Sequence, residues 1–225
     1  MSHYGKSDPI LGKLVQAHLE RQGLNTPTTS SLFDDEDTKI QSIESNIHNA
    51  LLALGLDLSD DSLEDTPRRV AKMFVRELFW GLDPNKFPKC TTVENKMNYN
   101  NSFVLEKNIT VHSSCEHHLV TIDGLATVAY IPNKKVLGLS KLNRIVQYFA
   151  KRPQIQERLT EQIVETISLI TESPDVAVYI DAVHFCVKSR GIQDVNSSTV
   201  TLATRGKFSE PDSEVRREFL NIARG

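Results

Sequence analysis

Two short clusters of cysteine and histidine constrain this chain more than any other feature. They are Cys115-Glu116-His117-His118 and, far downstream, His184-Phe185-Cys186. Cys115 and His118 have the C-x-x-H spacing with which one tight turn presents two ligands to one ion. His184 and Cys186 are two apart, and on a strand such residues point to the same face. Thiolate and imidazole together suit Zn²⁺ better than Mg²⁺ or Ca²⁺, which prefer oxygen. Cys115, His118 and Cys186 supply three ligands, and His117 and His184 remain beside them. Three protein ligands and an open position make a hydrolytic zinc site, whereas a structural site is closed by four. On spacing alone, a closed site that takes one of the two histidines as fourth ligand stays open.

The charge balance narrows the partners. With 26 basic against 29 acidic residues and a net charge of -3, nothing favours nucleic acid or an acidic membrane surface. No apolar run approaches the ~20 residues that cross a bilayer. Met1 to Lys6 is not followed by an apolar stretch, so no secretory signal is expected. The cysteine count is odd, at three, and two of the three lie in the clusters. This argues against a disulfide framework and for a reducing compartment, the cytoplasm. The third, Cys90, reads as a small packing residue.

Apolar periodicity predicts helices over 9–22, 38–54, a stretch opening at Thr66-Pro67, 140–149, 154–171 and 212–223. Thr66 and Ser140 are the expected N-caps of their helices. Strands are expected over 103–105, 109–111, 119–131, 176–187 and 197–203, with a bend or bulge at Asp123-Gly124. Residues 24–37 read as a loop. Beyond Gly81 the order is strands, two helices, strands. That predicts an α+β arrangement, an antiparallel sheet with two helices on one face, with the metal clusters on neighbouring strands. The chain divides into an N-terminal helical region, 1–81, and a larger domain, 82–225. Lys141 and Arg144 share one face near a helix N-terminus, where free N–H groups favour anions. Arg69 and Lys72, on the earlier helix, read as a solvated face by spacing alone.

Three stretches carry a resemblance. They are Ser114-Cys115-Glu116-His117-His118 with Val120-Thr121-Ile122-Asp123-Gly124, Gly138 to Val146 continuing through Arg152 to Leu159, and Asp181 to Val187. In these, and from about Leu51 to Phe219, the sequence closely resembles GTP cyclohydrolase I. The resemblance implies a tunnelling fold preceded by helices, and a ring-shaped homo-oligomer, typically a decamer of two pentamers, with active sites at subunit boundaries. It implies conversion of GTP and water to formate and 7,8-dihydroneopterin triphosphate, the first step of tetrahydrofolate and pterin synthesis.

The same resemblance assigns roles. Cys115, His118 and Cys186 match zinc ligands, and zinc activates water for attack at C8 of guanine. His184 matches the proton donor to N7, and His117 the histidine that assists ring opening and loss of formate. Glu157 matches the residue that accepts from guanine's N1–H and exocyclic amine together, a contact adenine cannot offer. Gln156 is a neighbouring substrate contact, and Ser140 lies near the ribose. Lys141, Arg144, Arg190, Arg69 and Lys72 match triphosphate contacts. Arg205 departs from the pattern, where an apolar residue is expected.

The alternative function is a catalytically silent GTP-binding or scaffold paralogue that keeps a structural zinc. The presence of His117, His184 and Glu157 counts against it. Nucleobase deaminases and zinc peptidases are excluded by the absence of their motifs, H-x-E with P-C-x-x-C for the first and H-E-x-x-H or H-x-x-E-H for the second.

Overall fold

The computed structural model describes residues 6–225; most of the Met1–Lys6 segment lies outside the described residues. Seven helices and seven strands are used below. They are α1 (Pro9–Arg21), α2 (Glu36–Ala53), α3 (Thr66–Met73), β1 (Thr92–Glu94), β2 (Val104–Cys115), β3 (Thr121–Tyr130), β4 (Lys135–Leu137), α4 (Leu139–Ala150), β5 (Pro153–Gln154), α5 (Gln156–Thr171), β6 (Val176–His184), α6 (Phe185–Lys188), β7 (Thr199–Thr204) and α7 (Glu214–Arg224). No helix among the described residues is long and apolar enough to cross a membrane.

The main sheet has the order β5-β2-β3-β6-β7, antiparallel except for the short β2–β5 pair. Side chains alternate across its faces. Ile109, Val111, Ile122, Val128, Val178 and Ile180 point to one face. They are buried against Leu142, Ile145, Val146 and Phe149 of α4 and Leu159, Ile163 and Ile167 of α5. Burial of each such side chain is worth about 1.5–3 kcal/mol, so the helix pair and the sheet stabilise each other. Ala129, Ala177 and Tyr179 point to the opposite face, where Phe208 and Phe219 cover them. Beyond that cover, Leu125, Val200 and Leu202 on this face are exposed.

The N-terminal segment is stitched to this core. Val15 and Leu19 of α1 belong to the main cluster together with Trp80. Asp8 caps α1 by accepting from Leu11 N at 3.0 Å, and Pro9 follows as its first residue. Arg152, buried, donates to the Gly81 carbonyl at 2.7 Å, and its guanidinium lies 4.7 Å from the Tyr148 and Phe149 ring centroids. Cation–π contact on two rings offsets part of the cost of burying that charge.

Several local expectations need correction. The N-cap of α3 is Asp65, with Thr66 already helical, and α4 is capped at Gly138, with Ser140 inside its first turn. Residues 104–115 form one strand rather than two. Its register shifts between Glu106 and Ile109, where Asn108 takes φ +60°, a conformation asparagine tolerates better than most residues. No bulge occurs at Asp123-Gly124, which pair in register with both neighbours. Glycine is needed there because a Cβ would lie 2.2 Å from the Asp181 carbonyl oxygen.

Arg205 has a clear physical reason to be charged. It binds Glu165 at 2.8 Å and Glu161 at 2.5 Å, and Glu165 in turn lies 3.1 Å from His18 Nε2 of α1. These carboxylates outweigh partial burial and hold the guanidinium above its usual range.

Candidate active site

The site forms where three segments end together. β2 terminates at Cys115, and the chain turns through Glu116–Val120 into β3. The turn is closed by Leu119 N to Cys115 O and Cys115 N to Val120 O, both 2.8 Å. Leu119 sits at φ +53°, a strained conformation for a non-glycine residue. β6 ends at His184, opposite Ile122 of β3, and the chain then winds into α6, which carries Cys186. The third segment is β5, which pairs with Ser114 and Cys115 and delivers the N-terminus of α5 beside the turn.

This geometry differs from the expected strand over 176–187. His184 and Cys186 do not alternate on one strand, because Phe185 begins a helical turn. Nor are the two clusters on adjacent strands, since β3 lies between β2 and β6. The hairpin turn and the α6 turn together bridge that gap. The ligand atoms of Cys115, His118 and Cys186 all lie within 4.8 Å of one another. Cys115 is buried, Cys186 half-buried and His118 exposed, so the trio is reachable from one side. The cysteines are free thiols. Burial, followed by the neighbouring Cys115, pushes the Cys186 thiol above its usual range. Two crowded thiols and one imidazole form a soft donor set that fits zinc.

His117 and His184 flank the trio. His117 Nδ1 is 3.8 Å from Cys115 Sγ. His184 Nε2 is 2.8 Å from Gln156 Oε1. Gln156 is 1% exposed, and its amide nitrogen faces Thr199 O at 2.8 Å, Thr201 Oγ1 at 3.1 Å and Ile180 O at 3.2 Å. Carbonyl oxygens only accept, so the amide orientation is fixed and its oxygen accepts from His184 Nε2–H. Nδ1 is then the nitrogen left to exchange a proton. Burial lowers the His184 pKa, and Glu157 draws it partly back up. Both ends of the Gln156 amide, an expected substrate contact, are engaged by protein groups.

Glu157 is exposed in the first turn of α5. Arg190 is exposed and close enough to Cys186 to act on its thiol. Ser140, Lys141 and Arg144 occupy the first turns of α4, where Lys141 and Arg144 act on Cys90. Arg69 pairs with Asp65 at 3.3 Å, and Lys72 is half-buried on the same helix. Among the described residues, no hydrogen bond or ion pair joins Lys141, Arg144, Arg69 or Lys72 to the Cys115–His118–Cys186 trio. Cys90 packs against the core, and burial pushes its thiol up to about 12, which leaves it inert. A cavity of about 630 Å³ lies elsewhere, lined by Leu32, Ile43, Phe74, Phe79 and Trp80 among others; it contains none of these groups.

Comparison with known proteins decides the family. The profile of GTP cyclohydrolase I matches residues 43–224. The chain belongs to the GTP cyclohydrolase I family. Among its relatives, proteins named GTP cyclohydrolase 1 from Shewanella sp. (strain ANA-3) and Vibrio vulnificus (strain YJ016) are 53% and 54% identical. They cover 92% and 93% of this chain and 94% and 95% of their own lengths. The corresponding protein of Haemophilus ducreyi is 54% identical over 92% of this chain and 94% of its own. Membership covers all three converging segments, so the family's chemistry bears on this site rather than on a separate domain. Two groups around the trio, Glu116 and Arg158, carry no role in the sequence reading although they lie inside its motifs; only their contacts reveal them.

Proposed function

We propose that the chain is a zinc-dependent GTP cyclohydrolase that converts GTP to formate and 7,8-dihydroneopterin triphosphate, with Cys115, His118 and Cys186 as the metal ligands. The observation that carries this reading is the convergence of those three side chains with His117, His184 and Glu157 at one place in a member of this family. Zinc held by the trio supplies a Lewis acid that lowers the pKa of water toward ~7. Everything else falls to the chain itself.

Glu157 orients the guanine by accepting from N1–H and the exocyclic amine. His184 exchanges a proton with the ring at N7. Its Nε2–H is held by Gln156, so the working nitrogen is Nδ1, an acceptor in the neutral ring and a donor once protonated. Glu157 nearby favours the protonated form. We assign Gln156 as a positioning residue for His184 rather than a direct substrate contact. His117, beside Cys115, assists loss of formate. Ser140 serves the ribose, and Lys141, Arg144, Arg190, Arg69 and Lys72 bind the triphosphate. Residues 82–225 form the catalytic unit, a tunnelling fold, and residues 1–81 are a helical addition to it.

That several phosphate-binding candidates have no link to the trio within one chain supports a site shared between subunits, as does the exposed apolar strip of Leu125, Val200 and Leu202 beside the unpaired edge of β7. The proposed assembly is a homodecamer, and a monomeric mass under turnover conditions, by light scattering, would count against it. The substrate assignment has its own test. Glu157→Gln turns one acceptor into a donor facing guanine's N–H groups, and leaving a polar group mispaired once the bound base covers it costs about 1–3 kcal/mol. The expected result is a fall in kcat/KM for GTP of about 10–100-fold; unchanged kcat/KM would remove Glu157 from guanine recognition.

A further inference from the structure

Arg158 and Glu116 form an ion pair next to the trio, and neither is a metal-ligand candidate. Their side chains are only 13% and 28% exposed. Arg158 lies on α5, two residues after Gln156, and Glu116 lies between Cys115 and His117. The remaining carboxylate oxygen of Glu116 is 4.0 Å from His117 Nε2. The carboxylate thus sits between the guanidinium and the imidazole.

The guanidinium is itself held. Arg158 Nε donates to Gln154 Oε1 at 3.3 Å, and a terminal nitrogen donates to the Pro153 carbonyl at 3.4 Å. Gln154 is fully buried. Its amide nitrogen donates to the Phe149 carbonyl at 2.9 Å and to Gln162 Oε1 at 2.8 Å, which turns its oxygen toward Arg158. Gln162 is anchored in turn on the Leu24 carbonyl at 2.7 Å. The backbone repeats the connection, since Glu116 N donates to the Gln154 carbonyl at 3.0 Å. A buried chain of amides therefore runs from the segment after α1, through the core of α5, to the metal-site turn.

Stability alone is a weak reason for this arrangement, because desolvating two charges cancels much of their attraction. The turn offers a better one. It contains Leu119 in a left-handed conformation, and such strain persists only where the surroundings over-determine the backbone. Groups behind metal ligands set ligand orientation and are costly to remove.

We propose that Arg158 is a positioning residue for the reaction: through Glu116 it fixes the turn that presents Cys115, His117 and His118, and with it the aim of His117. This rests on the reading of His117 as a group that acts on the substrate. The pair's contacts are with protein groups, and neither residue is among the proposed substrate contacts, so its loss lowers turnover while GTP recognition stays intact.

The test compares wild type, His117→Ala, Arg158→Met, Arg158→Lys, Glu116→Gln and the Arg158→Met/Glu116→Gln double variant. Formate release from GTP, zinc content and thermal unfolding are measured on the same samples. Arg158→Met is expected to lower kcat about 10–100-fold, with KM for GTP changed less than about threefold and zinc retained. Arg158→Lys recovers part of the loss, because it restores the charge but not the forked geometry. The double variant is expected to be no worse than the poorer single variant, since both substitutions remove one interaction. Wild-type kcat in Arg158→Met, or losses that multiply in the double variant, would overturn the proposal. If Arg158→Met does not fold, the isosteric Glu116→Gln decides alone, and wild-type kcat there overturns it. An inactive wild type, or full activity in His117→Ala, points instead to a wrong reading of the site.

Discussion

Replacement of His184 by alanine is expected to lower kcat by about 10²–10⁴-fold, the range for a positioned general acid–base group, with metal content unchanged. His184 is not among the three ligand atoms that cluster within 4.8 Å. Its Nε2 is committed to Gln156 at 2.8 Å, which leaves one nitrogen for proton exchange. His117→Ala is expected to behave alike, since its nearest polar neighbour in the trio is the Cys115 sulfur at 3.8 Å, and the other three donors remain. Gln156→Leu frees the ring and lets it take either tautomer, so kcat falls in the same direction but by less than in His184→Ala. The check is formate release under saturating GTP beside metal analysis of the same preparation. Loss of zinc in either histidine variant would make that histidine a ligand and replace the three-ligand site with a closed one.

A large effect on stability is expected at Gly124. In Gly124→Ala the new Cβ lies 2.2 Å from the Asp181 carbonyl oxygen and 2.4 Å from Ala182 Cβ. Neither neighbour is the tip of a flexible side chain, so β3 and β6 must move apart. Overpacking of this kind costs about 1–3 kcal/mol or more, and for a chain of this size each kcal/mol lowers Tm by about 2–4 °C. Thermal unfolding should show a fall of about 2–12 °C on that conversion. The displacement also reaches the site, because His184 is paired with Ile122, two residues from Gly124, and sits across β3 from Cys115. A Tm within about 1 °C of wild type would show that the strands absorb the methyl group without separating.

Much of this arrangement was legible in the sequence because it depends on residue type and local period. The paired helices α4 and α5 follow from Leu142, Ile145, Val146 and Phe149, then Leu159, Ile163 and Ile167, at helical spacing. The ligand-capable trio follows from a thiol and an imidazole at turn spacing, Cys115 and His118, and a second thiol far downstream, Cys186. What spacing could not supply was direction. The alternation in Ala182-Val183-His184-Phe185-Cys186 reads as strand to its end, yet the chain leaves the sheet at Phe185, and Cys186 reaches Cys115 from a helical turn. Nothing in the sequence reveals that Ile180 O, Thr199 O and Thr201 Oγ1 surround the Gln156 amide nitrogen. Arg205 looked out of place until α5 brought Glu161 and Glu165 beside it. In each case the missing information is a contact between segments distant in the chain.

Zinc-dependent turnover of GTP is tested by formate release from the purified protein, before and after chelation and after zinc is restored, with metal content measured throughout. The predicted result is about one zinc per chain for a three-ligand site of this kind, turnover lost on chelation and recovered with zinc. A zinc-loaded, assembled protein that binds GTP but releases no formate would contradict it, and would leave a nucleotide-binding protein with a structural metal.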